Sequence, residues 1–346
     1  MLPEGQHGMI ALKRKMRRPE SFRRKEAETM LDVVALGELL IDFTCQSVDE
    51  KGYPTMVAHP GGAPANFLAA LAKFGSKTAL MGKVGNDAFG RLLLQTLREA
   101  GIDTGAMVVD DSVFTTLAYV TLDEQGEREF SFARKPGADT CLRPEEIDPE
   151  VIRAARVFHF GTLSLTDEPA CSATQMAVAI AKEAGNLITF DPNLRKPLWK
   201  DLEQAREQML WGLNKADVVK ISDEEVDFLF GLEPEEGAEH ILREFGVKLV
   251  FVTCGANGCY FRNAVTRGYV PGLGGLKVVD TTGAGDIFGG SALWKLLQLG
   301  KKPEELSFEE ARAVAAFGCA SAGLSGTRPG GISSVPDYQT VMDRLI

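Results

Sequence analysis

The chain has 346 residues, 45% of them hydrophobic and 25% charged, the balance of a soluble globular protein long enough to bury a large core. Its net charge of −10 is unevenly placed: residues 1–31 hold eight Lys/Arg against four Glu, so the remainder carries −14. A body that acidic argues against binding nucleic acid through a general basic surface, and no apolar run reaches the roughly 18 residues of a spanning helix, so neither nucleic acid nor membrane is expected as a partner.

The basic leader over 1–31 lacks the apolar stretch of a secretion signal. It reads as a disordered extension, with a transit peptide or a nucleic-acid arm as the alternatives, and the body as a cytoplasmic protein. One α/β domain is expected over 32–346. Residues 32–43 (DVVALGELLIDF) form a single apolar run of strand character carrying Asp42. After a polar stretch with Gly52 and Pro54, GGAPAN (61–66) opens an amphipathic helix through Phe67, Leu68, Leu71 and Phe74 that stops at Gly75. KTALMGKVG and NDAFGRLLLQTLREAG then complete a βαβ unit. The interval 115–134 breaks this rhythm: TTLAYVTLD and REFSFAR alternate apolar and polar positions around EQGE, as a half-exposed antiparallel hairpin does. With residues 44–60 it would make a small sheet over an active site, a lid with segments at about 44–60 and 112–135, or else an edge ornament. From Ala155 the alternation resumes, and RVFHFG, NLITFDPN, ADVVKIS and KLVFVTCG read as parallel strands, whose carboxyl ends are where ligands gather. A small-residue helix from Phe308, a TRPGG loop and a short helix after Pro336 close the chain. The six cysteines are scattered without a CxxC pair, so neither a zinc site nor a disulfide framework is suggested.

The most informative segment is DTTGAGDIFGG (280–290). Gly283 and Gly285 permit close approach to the first-turn amides of a helix, whose free N–H groups and dipole attract phosphate oxygens. An acid in such an anion hole makes sense as a base that takes a proton from an attacking hydroxyl, so Asp286 with the amides of Gly283, Ala284, Gly285 and Asp286 forms a phosphoryl-transfer arrangement. A plain glycine turn with an early-turn acid is the alternative. GGAPAN gives backbone close approach at Gly61 and Gly62 and a donor–acceptor side chain at Asn66, though helix-capping chemistry looks the same. DPNLR sets Arg195 beyond a strand end, suited to anions or simply to the surface. Ser222 and Glu225 in KISDEE fit a helix cap as well as a site. No GxxxxGK[ST], HExxH or GxSxG occurs, which removes P-loop, zincin and common serine-hydrolase chemistry.

Taken together and in this order, GGAPAN and DTTGAGDIFGG closely resemble the two signatures of the ribokinase-like, or PfkB, carbohydrate kinases, and the resemblance runs from about Asp32 to the C-terminus. It implies a three-layer α/β/α domain with a mostly parallel central sheet and a small β-sheet lid, and an ATP-dependent sugar kinase using Mg²⁺ and, in many relatives, K⁺. GELLID, GGAPAN and FARKPGAD are most similar to fructokinases, which implies D-fructose phosphorylated at its 6-hydroxyl; ribokinase, 2-keto-3-deoxygluconate kinase, a nucleoside kinase and a non-catalytic sensor are the rivals. By resemblance Asp42, Gly61, Gly62, Asn66 and Arg134 face the sugar, Arg195 assists charge, and Lys220, Ser222, Thr253, Gly255, Gly258 and Cys319 lie by the nucleotide. Ser222 stands where many relatives have Asn. Glu225 matches a residue tied to Mg²⁺ through water, and Asp280 and Thr282 match a monovalent-cation site. A homodimer through the lid is the expected assembly.

Overall fold

The computed structural model describes residues 30–122 and 128–345. The leader up to residue 29 and the hairpin tip EQGE lie outside them. Two sheets organise the body. The large one runs β14-β13-β12-β11-β10-β9-β1-β4-β5, with β6 also on β4. Its parallel part comprises β1 (Leu31–Leu36), β4 (Thr78–Gly85), β5 (Ile102–Asp103), β6 (Met107–Asp110), β9 (Ala155–Gly161), β10 (Leu187–Asp191), β11 (Val218–Ser222) and β12 (Leu249–Thr253), and an antiparallel hairpin, β13 (Gly258–Asn263) and β14 (Arg267–Pro271), extends one edge. The small sheet has the order β3-β2-β7-β8, from β2 (Leu40–Val48), β3 (Pro54–Gly61), β7 (Leu117–Leu122) and β8 (Arg128–Ala133).

Strand alternation makes the large sheet the middle of three layers. On β1, Val33 and Ala35 join one apolar cluster while Val34 and Leu36 join the other, as a strand buried on both faces requires. The first cluster holds α1 (Ala63–Lys73), α8 (Ala284–Leu299) and α9 (Phe308–Ser325), and the second holds α4 (Ala170–Ala184) and α5 (Leu202–Leu213), numbering the intervening helices α2 (Ala88–Glu99), α3 (Pro149–Arg153), α6 (Asp223–Phe230) and α7 (Pro234–Phe245), with α10 (Tyr338–Met342) last.

The single strand expected over 32–43 does not form. The apolar run 32–43 is two strands in different sheets: β1 ends at Leu36, Gly37 takes φ 158°, and β2 begins at Leu40, so Asp42 belongs to the small sheet. Hydropathy hid the break because both strands are buried there. The short strands β5 and β6 and the β13–β14 ribbon are further strands that the sequence pattern does not mark. All six cysteines are free thiols.

Candidate active site

Two helices meet to build the centre. Gly290 of α8 lies so near α1 that a Cβ would come within 2.2 Å of the Phe67 carbonyl oxygen, so its lack of a side chain allows the two helices to touch. That approach brings together residues 220 positions apart: Asn66 Nδ2 donates to Asp286 Oδ2 at 2.9 Å, in a buried hydrogen bond. The helix start at Gly283 is left-handed, φ 73°, and a Cβ there would meet Asn66 Nδ2 at 2.8 Å. At the other helix start, Gly62 caps α1 at φ 119°, where a Cβ would meet the Glu38 carbonyl oxygen at 2.4 Å, and a Cβ on Gly61 would meet Asp42 Oδ2 at 2.3 Å. The glycines of both signatures are thus demanded by close packing.

Asp286 sits between two hollows. A cavity of about 360 Å³, in the size range of small-molecule sites, is lined by Arg195, Lys220, Ser222, Glu225, Thr253, Gly255, Gly283, Gly285 and Asp286 among others. A second, narrow recess, also lined by Asp286, is bounded by Glu38, Phe67, His159, Asp191 and Asn193, among others. In the first turn of α8, the Ala284 amide bonds the Thr281 carbonyl at 3.2 Å, while those of Gly285 and Asp286 have no intrahelical partner, as a helix start dictates. Ala284 and Gly258 do not line the cavity, and Cys319 is buried on α9 with burial pushing its thiol up to about 12.

Burial raises the pKa of Asp286; the Asn66 hydrogen bond, Lys220 and Arg195 oppose that rise and Glu225 adds to it. Burial likewise brings Asp42 to about 6, against the pull of Arg195. Lys220 Nζ lies 3.0 Å from Asp191 Oδ2. Burial disfavours its charge, yet Asp191, Glu225 and Asp286 outweigh that and keep its pKa above the usual lysine value. Burial pushes the Asp191 carboxyl up, with Lys220 opposing. His159 is stacked on Phe67 at 3.7 Å and bonded to Thr189, and burial lowers it to about 3, so it is a neutral wall. Asn193, between strand β10 and Arg195, takes φ 47°, a strained value for a side-chain-bearing residue.

Ser222 and Glu225 take up the helix cap that their spacing allowed, and other expected contacts are ones that spacing does not show. Ser222 and Glu225 form a capping box on α6, and the other Glu225 oxygen accepts the Leu194 amide at 2.7 Å, fastening the DPNLR loop to the cavity wall. Asp280 Oδ1 accepts from Thr282 and Oδ2 from the Gly330 amide. Arg134 does not line the recess. Its Nε and Nη2 engage Asp139, Nη2 also donates to the Leu163 carbonyl and Nη1 to Thr166, and Asp139 also accepts from Thr116. A fully desolvated guanidinium needs such partners, and FARKPGAD supplies its own acid five residues on. Glu38, buried beside the recess, was not singled out from the sequence; its place at the end of β1 is the signal that could have found it.

Known proteins resemble this chain in sequence and in fold. The chain is 43% identical to fructokinase-1 of Oryza sativa subsp. japonica over 314 residues, 90% of this chain and 96% of the relative. Its fold is similar to that of fructokinase from Xylella fastidiosa with bound ATP, at a TM-score of 0.83 and 31% identity over 91% of this chain and 98% of that one. It is also similar to fructokinase from Vibrio cholerae O395 with fructose, ADP and calcium, at 0.79 and 31% over 92% and 100%. The pattern described as pfkB family carbohydrate kinase matches residues 30–338, nearly the whole length, and the chain belongs to that family.

Proposed function

We propose that this protein transfers the γ-phosphoryl group of ATP to the 6-hydroxyl of D-fructose, giving fructose 6-phosphate and ADP. The observation that carries the reading is the position of Asp286, buried in the first turn of α8, held by Asn66, and shared by the recess and the cavity. The named relatives are fructokinases, and those solved with ATP or with fructose and ADP share the fold.

In this mechanism the sugar rests against Asp42, Gly61, Gly62 and Asn66, and the nucleotide occupies the larger cavity beside Lys220, Ser222, Thr253 and Gly255, with Gly258 and Cys319 farther back. Asp286 accepts the hydroxyl proton as the oxygen–phosphorus bond forms and the bond to the β-phosphate oxygen breaks; its raised pKa makes it a stronger base than an exposed aspartate. The first-turn amides of α8 face the phosphoryl oxygens, and Lys220 and Arg195, both felt by Asp286, balance their charge. Mg²⁺ fits as an ion carried by the triphosphate: Asp223, Glu224 and Glu225 line the cavity, yet no three such groups among the described residues converge on one point. Bound there, it would neutralise phosphate charge. A K⁺ ion would lie by Asp280 and Thr282.

The body over 32–346 acts as one kinase domain, with the small sheet as its lid. Val48 and Tyr119 are exposed on that sheet and Tyr53 in the turn that leads into β3, which supports pairing of two copies through it. No described helix is long and apolar enough to cross a membrane, and the cytoplasm is the proposed location. The test is Asp286→Ala: turnover of fructose should fall by roughly 10²–10⁴-fold while fructose and ATP still bind. Turnover within about tenfold of the parent at saturating substrates would remove Asp286 as the base.

A further inference from the structure

The two faces of the small sheet differ in kind. Ile41 and Phe43 on β2, Ala58 on β3 and Leu117 on β7 join the first apolar cluster, and Phe43 packs edge-on against Phe89 of α2, so this face is turned to the body. Strand alternation sends the residues between them to the opposite face. The register sets Asp42 across from His59 on β3 and beside Ala118 on β7, and sets Leu40 across from Gly61, against which Asp42 Oδ2 is packed. Directly opposed residues hold their Cβ atoms about 4.5–5.5 Å apart, so the carboxyl and the imidazole stand side by side. Theirs is the face that looks into the site, because Asp42 feels the charges of Arg195, Asp286 and Asp280. His59 reaches the same neighbourhood: its Nδ1 lies 3.8 Å from where a Cβ would stand on Gly330, whose amide is bonded to Asp280, and the next residue, Gly331, lies against Asn66.

Both side chains are half-buried, and neither has a hydrogen-bond or ion-pair partner among the described residues. Two polar groups set together in this way call for a partner from outside the chain. A carboxylate only accepts, whereas an imidazole brings a donor as well, so the pair matches two adjacent hydroxyls better than either group alone. We propose that His59 is a specificity-determining residue, which bonds a sugar hydroxyl next to the one that Asp42 holds. This rests on the sugar-kinase reading above and deepens it by naming a residue of the small sheet that reads the sugar. The Nδ1 edge of the ring faces Gly330, which leaves Nε2 for the ligand. A site built to bond a hydroxyl rejects the analogue that lacks it, since its own polar group is then left unpaired. The reacting 6-hydroxyl belongs to Asp286, so His59 acts on which sugar is held and not on the transfer step.

The probes are D-fructose and its 1-, 3- and 4-deoxy analogues, with dissociation constants measured by calorimetry without ATP and steady-state kinetics alongside. His59→Ala, and His59→Phe, which keeps a ring and removes the nitrogens, should each weaken fructose binding at least about fivefold, the weight of one hydrogen bond. Turnover and the KM for ATP should stay within about twofold, as loss of ground-state sugar binding requires. His59→Gln, whose amide can stand near the place of Nε2, should recover part of the loss. Wild-type protein should bind one deoxy analogue at least about fivefold more weakly than fructose, and for that analogue the substitution at His59 should cost nothing further. Fructose held by the Phe variant as tightly as by wild type, turnover falling as far as binding, all three analogues bound by wild type like fructose, or the same loss for every analogue on substitution would each overturn the inference. The wild-type arm decides even where the variants do not fold. Fructose binding that depends on His59, in a protein that forms no ADP with fructose, would leave the inference standing and remove the reaction proposed above.

Discussion

Asn66→Ala tests whether the two halves of the site act as one. In the parent, Asn66 Nδ2 donates to the buried Asp286 carboxyl, and that bond favours the charged form. Hydrogen bonds to charged groups contribute about 1.5–3 kcal/mol. Alanine removes that donor and leaves only Lys220 and Arg195 to oppose burial, so the proton on Asp286 becomes harder to lose. The sign follows directly: a base must be unprotonated, so the variant loses rate on the acid side and recovers it as pH rises. On the acid limb of the kcat/KM profile, the loss should be about 10- to 150-fold, the same 1.5–3 kcal/mol expressed as a ratio. The assay couples ADP release to a dehydrogenase and follows kcat and kcat/KM for fructose from pH 5 to pH 9. A lost sugar contact alone would raise KM equally at every pH. An acid limb at the same pH in variant and parent would refute the argument that Asn66 tunes the base.

Two other outcomes are expected. Arg134→Ala strips the buried Asp139 of its partner, and stability in urea at neutral pH should fall by roughly 3–5 kcal/mol; a loss under about 1 kcal/mol would mean the pair is not the desolvated one described. Hydrogen exchange in the small sheet, at β2, β3 and β7, should slow when fructose is added if the sheet closes over the sugar, and unchanged exchange at saturation would leave it an edge or an assembly surface.

What the sequence determined by itself lies in short, local patterns. The alternation of strands with helices gave the layered α/β body, because hydrophobic period and turn chemistry are properties of neighbouring residues. GGAPAN and GAGD were legible because each needs glycine at a helix start, and the structure supplies the reason: Asp42, Glu38 and Asn66 would collide with a Cβ at Gly61, Gly62 and Gly283. Which groups face which was decided only by tertiary structure. The run 32–43 divides between two sheets because Gly37 turns the chain where hydropathy sees no change. Arg134 looked like a residue free to reach a ligand, yet burial commits its donors to Asp139, Thr166 and Leu163. Glu225 fastens the loop before Arg195 through an amide that no spacing rule pairs with it. Glu38 stands at the end of β1, yet only the packing of α1 against the central sheet shows that it is buried on the recess wall, because burial arises from residues distant in the chain.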